Sequence, residues 1–165
     1  MVRLGKSEGI IMAGRILAEL KAAGIELPTA AIPVANYVPV VLSGNQAFVS
    51  GQVSIWNGEV RHVGRLGQNI SIEQGQDAAK LCALNIISQL QLALGDLDRV
   101  VRCIKLNIFV NSTPDFTDQP KVGNGASNLM VQVFGEAGKH ARAAVGVAQL
   151  PLGVAVEVDG LFEIR

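Results

Sequence analysis

The stretch RAAVGVAQLPLGVAVEVDGLFEI, residues 142–164, contains two alternating apolar segments that predict the last two strands of a β-sheet. Because side chains alternate between the faces of a strand, Arg142, Ala144 and Gly146 share one face and Val145 and Val147 the other. In the second segment the same rule places Glu157 opposite the valines that precede and follow it. Pro151-Leu152-Gly153 joins the two segments.

Arg142 is the only charged side chain on the first of these strands, and its strand neighbours on the same face are small. A guanidinium above Ala144 and Gly146 has open space in front of it, which a bidentate carboxylate clamp requires. Glu157 lies between two valines on the second strand. One interpretation is a carboxylate-binding site, and the other is a simple Arg142–Glu157 ion pair on a solvated sheet face.

The rest of the chain predicts three helices and three further strands. Ser71 and Gln74 form a capping box that opens the strongest helix, which Gly95 ends. A shorter helix over 13–23, with Ile16, Leu17 and Leu20 on one side, comes before it, and a helical stripe over 126–137 comes after it. A hairpin over 40–53 turns at Gly44-Asn45, a polar loop covers 55–67, a strand covers 99–110, and a turn-rich connector covers 111–120. This order of helices and strands is compatible with a single sheet that has its helices packed on one face, so we expect an α+β fold.

Composition narrows the class of protein. The chain has 165 residues, with 14 Lys and Arg against 14 Asp and Glu, and 49% of it is hydrophobic. This size is typical of one domain, and the low charge excludes a disordered chain. A neutral chain with 4% aromatic residues is unlike a nucleic-acid-binding protein, which needs basic patches and stacking surfaces.

The titratable residues predict neither a metal centre nor a disulfide. Cys82 and Cys103 lie in apolar segments and are expected to be reduced and buried, and His62 and His140 stand alone. No secretion signal is recognisable, so we expect a cytoplasmic protein, with residues 1–11 as an upstream extension or alternative start. Neither a cofactor nor a metal ion is expected.

Three runs without charge predict an oligomer. They cover residues 27–58, 81–95 and 143–156. Prolines, asparagines and glutamines interrupt the first run, so it is no membrane span. A monomer of this size would expose part of these runs, and copies of the same chain would cover that surface.

Several common catalytic patterns are missing. Ser43, Ser50 and Ser54 lack a nucleophile-elbow turn or a nearby histidine, and Gly123-Asn124-Gly125 lacks the remainder of a phosphate-binding loop. Tyr37, the only tyrosine, lies in an uncharged loop and is either a packed anchor or part of a site.

Three motifs together resemble the Rid family of reactive-intermediate deaminases, also called YjgF or endoribonuclease L-PSP proteins. They are Asn36-Tyr37-Val38, Ser50-Gly51-Gln52, and the pattern from Arg142 through Leu150-Pro151 to Val156-Glu157-Val158. The resemblance covers about residues 30–165, which we interpret as the Rid-like domain, with residues 1–29 as an N-terminal extension and short helix. The longer bacterial subgroup is the most similar.

The resemblance implies a chorismate-mutase-like fold, a homotrimer with three clefts between subunits, and hydrolysis of enamine or imine intermediates such as 2-aminoacrylate to 2-keto acids and ammonia. The family's carboxylate-binding arginine falls on Arg142, its water-orienting glutamate on Glu157 and its cleft tyrosine on Tyr37. Gly51 and Ala144 fall at substrate-binding positions. The implied partner is a small carboxylate-bearing substrate, with no nucleic acid and no membrane.

The sequence departs from the family pattern at two of these positions. Many members carry Cys where this chain has Ala144, and a family asparagine fits either Asn124 or Asn128. Two other functions stay open, namely a non-catalytic trimer that binds a small carboxylate or acts as a regulatory module, and RNA cleavage. The second is disfavoured because the chain has no basic run and few aromatic residues.

Overall fold

A computed structural model of the chain describes residues 14–32 and 36–165. The predicted extension over residues 1–11, the predicted helix start at Ala13, and Pro33 of the proline-rich stretch lie outside these residues.

The described residues form a five-stranded mixed sheet, three helices, a small hairpin and short 3-10 turns. The helices are α1 (Arg15–Ala22), α2 (Ile72–Leu94) and α3 (Gln119–Phe134). The strands are β1 (Val40–Ser43), β2 (Gln46–Val53), β3 (Ile55–Trp56), β4 (Glu59–Val60), β5 (Val100–Asn111), β6 (Ala141–Val147) and β7 (Val156–Ile164). The order in the main sheet is β1-β2-β7-β5-β6. The predicted α+β fold is therefore confirmed.

The helix α2 forms the centre of the core, as its sequence predicts. The Ser71 hydroxyl accepts from the Gln74 amide and the Gln74 side chain accepts from the Ser71 amide, so the capping box is present. Gly95 ends the helix in a left-handed conformation at φ 76°, which glycine adopts without a Cβ penalty. The apolar stripe packs across β2 and β7, and α3 lies beside it over β5 and β6.

The central strand β5 decides where the two candidate charged residues lie. It pairs with β6 in parallel and with β7 antiparallel, so the two closing strands are not neighbours. Leu106, Ile108 and Val110 of β5 are fully buried under the helices, while Asn107 and Phe109 are only half-buried on the other face. The sheet therefore has one face covered by helices and one open face.

Four details differ from the sequence-based expectation. The helix α3 begins at Gln119, inside the predicted connector, because Pro120 in its first turn needs no amide partner. The predicted loop over 55–67 contains the β3-β4 hairpin. Leu17 is 37% exposed, whereas Ile16 and Leu20 are buried, so the apolar side of α1 is narrower than expected. The strand β6 ends at Val147, before Leu150.

The outer strands of the open face carry exposed apolar side chains. Val41 and Phe48, which are paired across β1 and β2, and Val145 on β6 are each 45–50% exposed. An apolar surface of this kind is typical of a protein interface.

Candidate functional site

Arg142 projects from β6 toward α3, on the helix-covered face of the sheet. Its Nη1 donates to Asn124 Oδ1 at 3.0 Å and to Ser127 Oγ at 3.1 Å, and its Nη2 donates to the Pro120 carbonyl at 3.2 Å. Among the described residues, no carboxylate oxygen lies within 4 Å of the guanidinium. The guanidinium is thus held in place by neutral acceptors and retains its capacity to bind an anion.

Ser127 and His140 form a chain of hydrogen bonds that ends at the Arg142 guanidinium. Since the Gly138 carbonyl, 2.6 Å from His140 Nδ1, can only accept, the hydrogen of the neutral ring lies on Nδ1. His140 Nε2 therefore accepts from the Ser127 hydroxyl at 3.0 Å, and Ser127 Oγ in turn accepts from Arg142. The sequence does not reveal this partner of His140, because α3 brings Ser127 to it only in the folded chain.

Glu157 lies on the open face of β7, against Gly51 of β2. A Cβ added at Gly51 would be only 2.0 Å from Glu157 Oε1, so glycine is what leaves room for this carboxylate. The register between β2 and β7 shifts between Val49 and Gln52, and a glycine inside a strand is often found at such an irregularity. Partial burial raises the pKa of Glu157 above its usual value, and the neighbouring Asp159 charge raises it further.

Tyr37 lines a small cavity of about 140 Å³ that also contacts Gly51. Tyr37 is 58% exposed. Earlier in the chain, Pro28 and Ala31 are tied to α2, because Ser88 donates to the Pro28 carbonyl and Gln89 donates to the Ala31 carbonyl. These buried polar side chains of α2 thus position the chain near the candidate site.

The structure therefore separates the predicted site residues into two groups. The arginine group comprises Arg142, Asn124 and Ala144, with Ser127 and His140 added. The glutamate group comprises Glu157 and Gly51, with Tyr37 near Gly51. Asn128 is exposed and makes no side-chain hydrogen bond among the described residues, so Asn124 is the asparagine that contacts Arg142.

Ser127 and His140 were missed by sequence reasoning. Thirteen residues separate them in the chain, so no local motif joins them. The sequence offers only an indirect indication that Ser127 belongs to the site. Position 127 is one helical turn after Asn124 and therefore lies on the same side of the helix.

Cys82 and Cys103 are free and buried, and burial raises the pKa of both thiols. Within residues 14–32 and 36–165, no three His, Cys, Asp or Glu side chains are placed to hold a metal ion, and no helix is long and apolar enough to cross a bilayer.

Comparison with known proteins yields a family. Residues 17–163 match the family described as "YjgF/chorismate_mutase-like, putative endoribonuclease". The protein TCP17 of Trypanosoma cruzi is 54% identical over 157 residues, which cover 94% of this chain and 98% of TCP17. The crystal structure of Atu1372 from Agrobacterium tumefaciens, a protein of unknown function, is also similar. Its sequence is 48% identical to this chain, and the two structures have a TM-score of 0.85, covering 91% of this chain and 92% of Atu1372.

A more distant relative has a named activity. The 2-iminobutanoate/2-iminopropanoate deaminase of Dermatophagoides farinae is 26% identical over 146 residues, covering 86% of this chain and 95% of the deaminase. Together with the family match over most of the chain, these similarities assign the fold and the lineage. The chain belongs to the YjgF/Rid family.

Proposed function

We propose that this protein hydrolyses enamine or imine intermediates of the 2-aminoacrylate type to 2-keto acids and ammonia, in clefts formed between copies of the chain. The observation that carries the proposal is that Arg142 and Glu157 each lack an ion-pair partner in the described chain and lie in different groups. A homotrimer would let the arginine group of one copy face the glutamate group of the next.

In this arrangement Arg142 holds the substrate carboxylate through its planar fork. Asn124, Ser127 and the Pro120 carbonyl fix the orientation of the guanidinium before the substrate arrives, so little ordering is needed on binding. Ala144, two residues further along the same face of β6, is small enough to leave room for the substrate body. The C=N carbon then faces the neighbouring copy.

Glu157 acts on the water. The enamine first tautomerises to the imine in water, its terminal carbon gaining the proton that its nitrogen loses. Glu157 takes a proton from the water as the water oxygen bonds to the C=N carbon, and passes that proton to the nitrogen, which gives a carbinolamine. Glu157 then takes the carbinolamine hydroxyl proton and passes it to the nitrogen as the C–N bond breaks, so that ammonia leaves and the 2-keto acid remains. The raised pKa of Glu157 suits both halves of this exchange, because a carboxyl group with a pKa nearer neutrality returns a proton more readily. Tyr37 supplies a hydroxyl to the substrate.

The test generates 2-aminoacrylate from serine with a dehydratase and adds semicarbazide, which traps the imine in competition with hydrolysis. The wild-type protein is expected to lower the trapped fraction and raise the rate of pyruvate formation. The variants Arg142→Gln and Glu157→Gln should lose this effect, while the surface variant Arg61→Gln should retain it. If the wild-type protein binds 2-oxobutanoate but leaves the trapped fraction unchanged, the protein is a carboxylate-binding module and the proposal is wrong.

A further inference from the structure

A second cavity lies at the carboxyl ends of the parallel strands β5 and β6. Its volume is about 430 Å³. The polar side chains at its wall are Arg65, Ser112, Thr113 and Gln119, and Phe116 provides an apolar surface. Arg142 does not line it, since that residue borders a separate depression together with Ser127 and His140.

The guanidinium of Arg65 is held rigidly at this cavity. Its Nε donates to Asn111 Oδ1 at 3.1 Å, and its Nη2 donates to the Ala148 carbonyl. Asn111 is only 2% exposed, and its Nδ2 lies 2.7 Å from Gln149 Oε1 and 3.2 Å from the carbonyls of Gly64 and Val154. The partner that orients Arg65 is therefore itself fixed by the loops on both sides.

The charge of Arg65 is left without a counter-ion. Two of its five N–H groups are used, and within the described part of the chain no carboxylate lies within 4 Å of it. The four ion pairs that are seen involve other residues. The guanidinium is half-buried and has three unused N–H donors. Because the neutral acceptors orient it without compensating its charge, it can bind an anion.

The Ser112 hydroxyl, which also lines this cavity, can bind a ligand as well. The contacts of Ser112 Oγ to the Val110 carbonyl, at 3.3 Å, and to Gln119 Nε2, at 3.4 Å, are long. Such weak contacts leave the hydroxyl hydrogen free to turn toward a ligand. Adding a Cβ at Gly146 would place it 2.6 Å from Ser112 Oγ, so glycine keeps the β6 side of the cavity open.

We propose that this cavity is a second ligand site, which binds the carboxylate of a small organic acid. The unused Arg65 donors and the Ser112 hydroxyl hold the two carboxylate oxygens, and Phe116 contacts a short carbon chain. A single cation suits a carboxylate better than a phosphate dianion, which favours several cations or a run of free amides. This proposal is independent of the proposed deaminase activity.

The experiment titrates 2-oxobutanoate by calorimetry into the Arg142→Gln protein, so that binding at the candidate active site does not contribute. One equivalent per chain is expected to bind. Adding Arg65→Gln, or separately Ala148→Leu to fill the cavity, should weaken the remaining binding by about tenfold or more. Adding Arg61→Gln, a matched change outside the cavity, should change it less than about twofold.

Three results would overturn the proposal: no binding to Arg142→Gln, undiminished binding after both cavity substitutions, or equally strong competition by inorganic phosphate. Arg65 also supports the loops, so circular dichroism and melting curves accompany each variant. Where Arg65→Gln unfolds, Ala148→Leu decides the matter, since it leaves the guanidinium intact. The deaminase assay uses the wild-type protein, whereas this titration uses Arg142→Gln. Failure of the second-site proposal can therefore be distinguished from failure of the deaminase proposal.

Discussion

Arg142 and Glu157 project from opposite faces of the same sheet, with one strand between them. Arg142 is in register with Leu106 of β5, and Glu157 is in register with Phe109. Leu106 is buried under the helices, whereas Phe109 lies on the open face. Standard sheet spacings put the two Cα atoms about 14 Å apart, so within one chain these side chains cannot act on the same small molecule.

This relationship predicts complementation between inactive variants. We expect Arg142→Gln and Glu157→Gln to be inactive separately. When the two chains are mixed and assembled together, a site that takes its arginine from one variant and its glutamate from the other is intact. Random mixing in equal amounts makes about a quarter of the sites intact, so activity should recover to about a quarter of the wild-type value.

The control for complementation is the double variant Arg142→Gln/Glu157→Gln mixed with Arg142→Gln. It should show no recovery, because no intact arginine is present. If the two single variants mix into common oligomers without any recovery, the site does not span two copies.

Asn124 and Asn128 should behave differently, although they lie one turn apart on α3. Asn124→Ala removes a hydrogen bond to the charged guanidinium, which contributes about 1.5 kcal/mol at this exposed position. We expect KM for the imine to rise about tenfold with little change in kcat. Asn128→Ala is the matched control and should leave both constants within about twofold. Equal effects of the two substitutions would contradict the assignment of Asn124.

Gly51→Ala should remove activity while preserving the fold. The added methyl group overlaps the end of the Glu157 side chain, which can turn away at low cost in stability. Displacing the carboxylate should lower kcat about 10- to 100-fold, the range expected for a misplaced general acid–base group.

A double-variant cycle provides the control for Gly51. In the Glu157→Gln background, Gly51→Ala should cause little additional loss, because the two changes affect the same group. Full additivity of the two losses would show that Gly51 acts in another way.

Asp159→Asn should shift the pH dependence of activity. The negative charge of Asp159 raises the pKa of Glu157, so its removal lowers that pKa. Because the ionised form of Glu157 accepts the proton from water, activity falls as pH drops through this pKa. The acid limb of the kcat/KM profile should therefore move to lower pH in Asp159→Asn. Glu163→Gln, further along the same face, is the control and should leave the limb in place.

Phe48→Glu should disrupt assembly. Phe48 lies on the open face beside the exposed Val41, and a carboxylate there would lose its hydration when another copy covers it. Sedimentation should give a smaller mass for this variant, together with loss of activity. Leu92→Glu, at an equally apolar but helix-side position that is 63% exposed, should sediment as the wild type does. A smaller mass for Leu92→Glu alone would place the interface on the helices.

Much of the fold could be predicted because its signals are local. The Ser71–Gln74 capping box, the Gly95 stop and the alternation along β7 each depend on residues within a few positions, and each was confirmed. The start of α3 was missed because Gln119 and Pro120 also suit a turn.

By itself, the sequence determined the element types, the faces of the closing strands and the residues able to do chemistry, since side-chain alternation and helical periodicity are set by backbone geometry. Only the tertiary structure decided that β5 lies between β6 and β7, which places Arg142 beside Ser127 and leaves Glu157 against Gly51. Strand order depends on how α3 crosses the sheet to bury its apolar side, and contacts so distant along the chain leave no local pattern.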